Sequence, residues 1–462
     1  MTPALKTTSI LALAAALSVA ALALSQAGPP QAVAHNNTSR SASSGVISLH
    51  SQLASEHVLQ GSHDSYLAVT LRAPAHVGQF RPDVDIAVVI DRSGSMDGEK
   101  LAQAKLAARQ LITNLHQNDR FTLIAYGTDV DVLVPSTQAN DSAKAAAMDT
   151  ISSIYTDGGT NLSGGLEAAK AQLVRLSRDP SRVQRIVLIS DGQANEGIIA
   201  PKQLARLAAS ASSQGVSITT VGIGLDFDEK SMTSIAVAGG GNYYFAESAS
   251  MLAEMFDTEL RKLGATVATQ IRLQLKIADH VQLQEIIGHS MVREGDTWIV
   301  SVPDMHAGET RKVVLSLRVD ASGTGAMPIA MITASFVDTV AGERGSAQNE
   351  LFAAITSDVN VVNQTRNSET NRLIERALTA QAIDKATILY EQGHSADARK
   401  LVRERTLSAQ KQAMELDDAE FAAEMGDAQQ AINMNFAQAP AKSTGGKRAR
   451  KKNRNAAYIM MK

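Results

Sequence analysis

The sequence predicts an α/β fold: a doubly wound, mainly parallel sheet flanked by helices, with an additional antiparallel β-sandwich and a C-terminal helical segment. Two observations carry this. Between residues 83 and 264, nearly continuous apolar runs alternate with stretches of helical spacing, the pattern of strands buried on both faces and joined by helices. On either side of that region the periodicity falls to two, the mark of antiparallel strands with one face covered.

In chain order, Lys6 and the apolar run Ile10 to Leu24, followed by Ser25-Gln26-Ala27, read as an export signal over residues 1–27, with Ala32-Val33-Ala34 as a second cleavage point. The run is short for a membrane-spanning helix, which favours cleavage over a retained anchor. Residues 28–44, rich in Pro, Ala, Asn and Ser, read as a flexible leader. Short alternating runs over residues 45–82, such as Tyr66 to Leu71, read as strands that complete the sandwich, so that the α/β region is inserted in it.

Within residues 83–264, Asp85 to Ile90, Phe121 to Ala125, Val130 to Val134, Arg185 to Ser190, Val216 to Gly222 and Asn242 to Phe245 read as strands. Gly98 to His116, Leu162 to Ser177, Pro201 to Gln214, Asp228 to Val237 and Ser250 to Leu263 read as helices, the third with proline in its first turn. Four alternating runs within residues 265–360, namely Thr269 to Ile277, Thr297 to Val302, Thr310 to Val319 and Ile329 to Val337, form the main body of the sandwich. Residues 361–437, rich in Ala, Leu, Glu, Gln and Arg, read as helices broken at Gly393 and near Gly426. Residues 438–462 carry the basic run Lys447 to Arg454 and read as a disordered tail, solubilising rather than binding nucleic acid because aromatics do not interleave with the charges.

Composition narrows the function. At 462 residues the chain is too long for one ordinary core. The net charge of -3 gives the body no general attraction to nucleic acid or to membranes. The absence of cysteine excludes disulfides, thiolate metal sites and a cysteine nucleophile, and in an exported chain it fits a bacterial envelope better than an animal secretory route.

The chemistry gathers on three loops. Asp91-Arg92-Ser93-Gly94-Ser95 follows a buried strand and precedes a helix, at the strand edge where ligands bind in open α/β sheets. Asp157-Gly158-Gly159-Thr160-Asn161 precedes another helix, and Asp191 follows the buried strand Arg185 to Ser190. In a doubly wound sheet all three loops reach one edge. Two carboxylates and three hydroxyls make a hard oxygen donor set that suits Mg²⁺, with Mn²⁺ or Ca²⁺ as alternatives. Because the hydroxyls are neutral, a bound ion keeps some positive charge. Asp97, Glu99 and Glu196 lie nearby in sequence and read as solvated charge, as do Asp129 and Asp131. His50, His57 and His63 lack zinc spacing. Gly222-Ile223-Gly224 lacks the third glycine of a dinucleotide loop, Phe227 standing in its place.

These residues resemble the von Willebrand factor type A family and its metal ion-dependent adhesion site, whose pattern is DxSxS, then a threonine, then an aspartate on a later loop. Asp91, Ser93, Ser95, Thr160 and Asp191 match all five positions over a region from about Asp83 to Gly264. The general layout is similar to that of bacterial exported members. The resemblance implies that Ser93 and Ser95 coordinate the ion directly, Thr160 directly or through water, and Asp91 and Asp191 directly or through bridging water. It also implies an open coordination position that a Glu or Asp of a protein partner fills, and hence an adhesion or interaction module of an exported protein rather than an enzyme. Two alternatives stand beside it. One is a structural subunit whose head needs no metal. The other is a metal-dependent hydrolase, although no nucleophile elbow, paired carboxylates or phosphate loop is present.

Overall fold

The computed structural model describes residues 40–461 apart from residues 79, 176–178, 192, 226, 248, 290 and 438. The expected export signal, and the expected leader as far as residue 39, lie outside the described residues.

The chain begins with four strands: β1 (Arg40–Ser44), β2 (Ser48–Leu53), β3 (His57–Leu59) and β4 (Gly61–Arg72). It then builds the α/β head from β5 (Val84–Asp91), α1 (Glu99–Thr113), β6 (Arg120–Tyr126), β7 (Val130–Gln138), α2 (Asp141–Ser153), α3 (Leu162–Val174), β8 (Val183–Ser190), α4 (Pro201–Ser212), β9 (Val216–Ile223), α5 (Glu229–Ala238), β10 (Gly240–Ala246) and α6 (Ala249–Gly264). Strands follow again: β11 (Thr266–Ile277), β12 (Val281–Ile287), β13 (Met291–Glu294), β14 (Thr297–Val302), β15 (Met305–His306), β16 (Thr310–Ala321), β17 (Gly325–Asp338) and β18 (Glu343–Thr356). Helices α7 (Val359–Gln364), α8 (Ser368–Glu391), α9 (Ser395–Glu415), α10 (Ala419–Ala437) and α11 (Thr444–Met461) complete it.

The head sheet has the order β10-β9-β8-β5-β6-β7. All its pairs are parallel except β6 with β7. Every residue of β5 and of β9 is buried, as are all but one in β8, because helices cover both faces. One face packs Val88, Ile90 and Val187 against α1, α2 and α6. The other packs Val89, Ile186 and Leu188 against α3, α4 and α5. Apolar runs of this kind contribute about 25 cal/mol per Å² of apolar surface removed from water, so they fix the sheet before any polar contact matters. Because β5 lies between β6 and β8, the chain leaves it in one direction and later returns on the other side. That makes the carboxyl end of β5 a switch point, where loops diverge and leave a crevice.

The strands before the head pair with those after it. β4 lies antiparallel to β16 over its full length, from Thr310 opposite Arg72 to Ala321 opposite Gly61. With β2 and β12 they make one sheet, and β1, β18, β17, β11, β14 and β13 make the path of the other. Leu67, Val69, Leu273, Leu315 and Ile332 fill the shared core between them.

Three expectations are corrected. Arg40–Ser44 is not part of a flexible leader, because it pairs with β18 from Arg40 opposite Glu350 to Ser44 opposite Ser346. The break near Gly426 is absent: α10 runs through it, and the chain instead turns at Asp417, whose φ is 57°. The basic end does not form a disordered tail but the helix α11, with Ala449, Asn453 and Ala457 buried along one face. Its charges are met by carboxylates distant in sequence: Arg454 pairs with Glu229 at 3.2 Å, Arg450 with Glu391 at 2.9 Å and Arg448 with Glu247 at 2.9 Å. Paired in this way, the charges of the run no longer repel one another enough to hold the helix open.

Candidate metal centre

Asp91 is the last residue of β5 and is fully buried. Its Oδ1 accepts the Ser93 N–H at 2.8 Å, which folds the loop back on itself. Its Oδ2 accepts the Ser190 hydroxyl at 2.6 Å, and the Tyr126 hydroxyl stands 3.4 Å away. Ser190 and Tyr126 end the strands on either side of β5, so sheet register places both at this carboxylate. After Ser93 the backbone makes a single 3₁₀ turn over Gly94–Met96. Gly98, at φ 77°, then lets the chain swing into α1.

The two serine hydroxyls are 3.2 Å apart, and Ser95 Oγ donates to Asp191 Oδ1 at 2.8 Å. Asp91, Ser93, Ser95 and Asp191 are thus linked in a chain of contacts, three from the end of β5 and its loop and the fourth from the end of β8. Thr160 is brought alongside through the backbone: Gly94 N–H donates to the Gly158 carbonyl at 3.1 Å, and Asp157 N–H to the Arg92 carbonyl at 2.7 Å. Asn195 Oδ1 accepts the Thr160 N–H at 2.7 Å, and the Thr160 carbonyl accepts the Asn195 N–H at 3.2 Å. Asn161 caps α3 by accepting the Gly164 N–H at 3.0 Å, so the Thr160 loop is pinned at both ends.

Two buried carboxylates, Asp91 and Asp191, stand at this edge of the sheet. Burial pushes the Asp91 carboxyl above its ordinary range; hydrogen bonds from Ser190 and Ser93 oppose this, and the nearby Asp191 charge adds to it. Against these two carboxylates the site supplies one cation of its own, the Lys100 ammonium paired with Asp191 Oδ2. The Asp91 carboxylate oxygens are held instead by the Ser93 N–H and the Ser190 hydroxyl. The carboxylates of Asp91 and Asp191 and the hydroxyls of Ser93, Ser95 and Thr160 are hard oxygen groups, the kind of donor a divalent ion such as Mg²⁺ takes. Among the described residues no group of three or more His, Cys, Asp or Glu is placed to hold a metal.

Residues around the set divide differently from expectation. Glu196 is half-buried and accepts the Thr128 hydroxyl at 2.8 Å, and its N–H reaches the Thr160 carbonyl at 3.4 Å, so it braces the Thr160 loop. Asp131 is exposed, yet it pairs with the buried Arg92 of the DxSxS loop. Asp97 and Glu99 are exposed, bonded to Thr156 at 3.3 Å and Gln103 at 2.9 Å. Sequence reasoning missed Tyr126, Ser190, Asn195 and Lys100. The first two could have been found by aligning the ends of the predicted strands beside Asp91. Lys100 sits five residues after Ser95, where a helical first turn points back toward the loop. Nothing in the local sequence marks Asn195.

The family model for the von Willebrand factor type A domain matches residues 85–258. The uncharacterized protein YfbK of Escherichia coli (strain K12) is 29% identical over 212 residues, covering 46% of this chain and 36% of that protein. Inter-alpha-trypsin inhibitor heavy chain H1 of Mesocricetus auratus is 29% identical over 168 residues, covering 34% of this chain and 18% of that protein. This chain therefore spans about a third or less of those relatives' lengths. A solved structure, the von Willebrand factor type A protein from Catenulispora acidiphila, superposes with a TM-score of 0.70 at 19% identity, covering 89% of this chain and 96% of that one, a likeness of fold. The matched segment covers the head sheet and its switch point: residues 85–258 of this chain are a von Willebrand factor type A domain.

Proposed function

We propose that the head is a divalent-cation-dependent protein-binding module of an exported protein, with Asp91, Ser93, Ser95, Thr160 and Asp191 holding the ion, and Mg²⁺, with Mn²⁺ or Ca²⁺ possible, as the ion held. Domains of this type often serve protein interaction or adhesion. The observation that supports the reading is the linking of Asp91, Ser93, Ser95 and Asp191 at the switch point, where two buried carboxylates meet one lysine. When bound, the ion would supply an electrophilic position for a carboxylate from the partner. The chain's own residues do the rest. Ser190 and the Ser93 N–H orient Asp91, Ser95 orients Asp191, and the Asn195 and Gly158 contacts hold the Thr160 loop.

Export rests on the sequence of the first 27 residues, which lie outside the described part. Among the described residues no helix is long and apolar enough to cross a membrane. A second reading, a structural subunit whose head needs no metal, is favoured by one observation: Lys100 already compensates Asp191.

Thermal melting with Mg²⁺, Mn²⁺ and Ca²⁺ separates the two. An ion at 100 times its Kd adds about 2.7 kcal/mol of stability, a rise of a few degrees in Tm. Wild type is expected to show this rise with at least one ion, and Asp91→Ala is expected to lose it. Identical melting with every ion would favour the structural subunit. For the partner, capture from envelope extract should depend on the ion, disappearing with chelator and with Asp91→Ala. The same proteins retained under all conditions would contradict the role given to the site.

A further inference from the structure

We propose that Lys100 is a built-in competitor for the cation: its ammonium occupies the carboxylate that the ion would use and so sets how tightly the head holds metal. The inference rests on the metal reading above. Lys100 lies in the first turn of α1, and its Nζ meets Asp191 Oδ2 while donating to the Ser95 carbonyl at 3.1 Å. Both contacts are to residues of the five-membered set. The Asp191 side chain is 0% exposed and that of Lys100 is 32% exposed, so the ammonium approaches from the solvent side and closes over a buried carboxylate. The lysine stem packs beside Gly224, where a built Cβ would lie 3.4 Å from Lys100 Cε, an ordinary contact.

This arrangement joins three physical effects. A tethered ammonium has a high effective concentration at Asp191, which a dissolved ion must outcompete. With the lysine in place the buried set carries one net negative charge rather than two, which weakens its attraction for a divalent ion. The lysine is also not locked in: its partial exposure gives the ammonium a route to water, so exchange for an ion needs only a side-chain rotation. The head can therefore keep its loops together without metal and take up metal only above a threshold concentration.

The test is calorimetric titration of Mn²⁺ into the full chain, in wild type, Lys100→Met, Lys100→Gln and Lys100→Arg, together with the metal-free Tm of each. Losing the ammonium should tighten Mn²⁺ binding about tenfold in Lys100→Met and Lys100→Gln while lowering the metal-free Tm, and Lys100→Arg should keep wild-type affinity. A purely structural lysine would lower both. Heat with Lys100→Met but not with wild type would support the proposal most strongly. Wild type binding Mn²⁺ as tightly as, or more tightly than, Lys100→Met and Lys100→Gln would overturn it and leave the metal reading standing. No heat in any of the four proteins would remove the metal reading, and this inference with it.

Discussion

Gly127 has no room for a side chain. A Cβ there would lie 2.1 Å from the Asp157 carbonyl oxygen, while the Gly127 carbonyl accepts the Asn161 N–H at 2.8 Å. Gly127→Ala should therefore push the Thr160 loop away from Gly94 without touching any oxygen of the site. The expected result is at least about tenfold weaker Mn²⁺ binding with a stability loss of roughly 1–3 kcal/mol, read by calorimetry and by denaturant unfolding. Unchanged Mn²⁺ affinity would show that the Thr160 loop does not matter to the ion. The residue scale is also where the sequence was most legible. Asp91, Ser93 and Ser95 stand at alternate positions around a glycine directly after a buried strand, a combination with few other uses. The partners that orient them were harder to see. Ser190 and Tyr126 reach Asp91 only because the strands align in register, and Lys100 reaches Asp191 only because α1 starts where it does.

Elements were legible where one face is plainly apolar. β5 and β8 were visible as continuous apolar runs, and α4 announced itself with Pro201 at its first position. The helix α2 was missed because its alanine-rich, polar stretch buries only Ala147 and Ile151. α11 was misread because its stability lies in distant acids and not in its own pattern. The contact between α8 and α11 gives a pH prediction. Burial, with help from Glu229 and against Arg454, pushes the Asp384 carboxyl up to about 6. The folded chain then holds this proton more tightly than the unfolded chain, whose carboxylate titrates near 4. Its contribution is full below about pH 4 and is lost as pH rises through 6. Asp384→Asn should accordingly be more stable than wild type by on the order of 1–2 kcal/mol at pH 8 and equal to it near pH 4, by urea unfolding. A constant difference at both pH values would mean that the amide acts through packing instead.

At the scale of the whole molecule, the head and the sandwich share a buried ionic cluster on the side of the sheet away from the candidate metal centre. Arg185 on β8, 1% exposed, pairs with Glu259 of α6 at 2.9 Å and with Asp304, between β14 and β15, at 3.0 Å. Ser217 donates to Asp304 at 2.7 Å, and Asn242 and Tyr244 donate to Glu259 at 3.0 and 2.9 Å. Burial would raise the Glu259 carboxyl, but Arg185 and these donors bring it below its ordinary range. Arg185→Met strands two buried carboxylates and should cost roughly 3–5 kcal/mol. Adding Glu259→Gln should recover part of that loss, measured in a double-mutant cycle. Full additivity of the two changes would show that the pair is not coupled. The general layout of head, sandwich and helices was legible from periodicity alone. This cluster was not, because its members are separated by up to 119 residues and only the tertiary fold brings them together.

The most direct measurement for the central claim is a crystal structure of the full chain grown with Mn²⁺, with the ion located by its anomalous scattering. One strong peak is expected among Ser93 Oγ, Ser95 Oγ, Thr160 Oγ1 and the carboxylates of Asp91 and Asp191, with oxygen distances of about 2.1 Å. A map with no peak there at millimolar Mn²⁺, or with Thr160 turned away from the peak, would contradict the account.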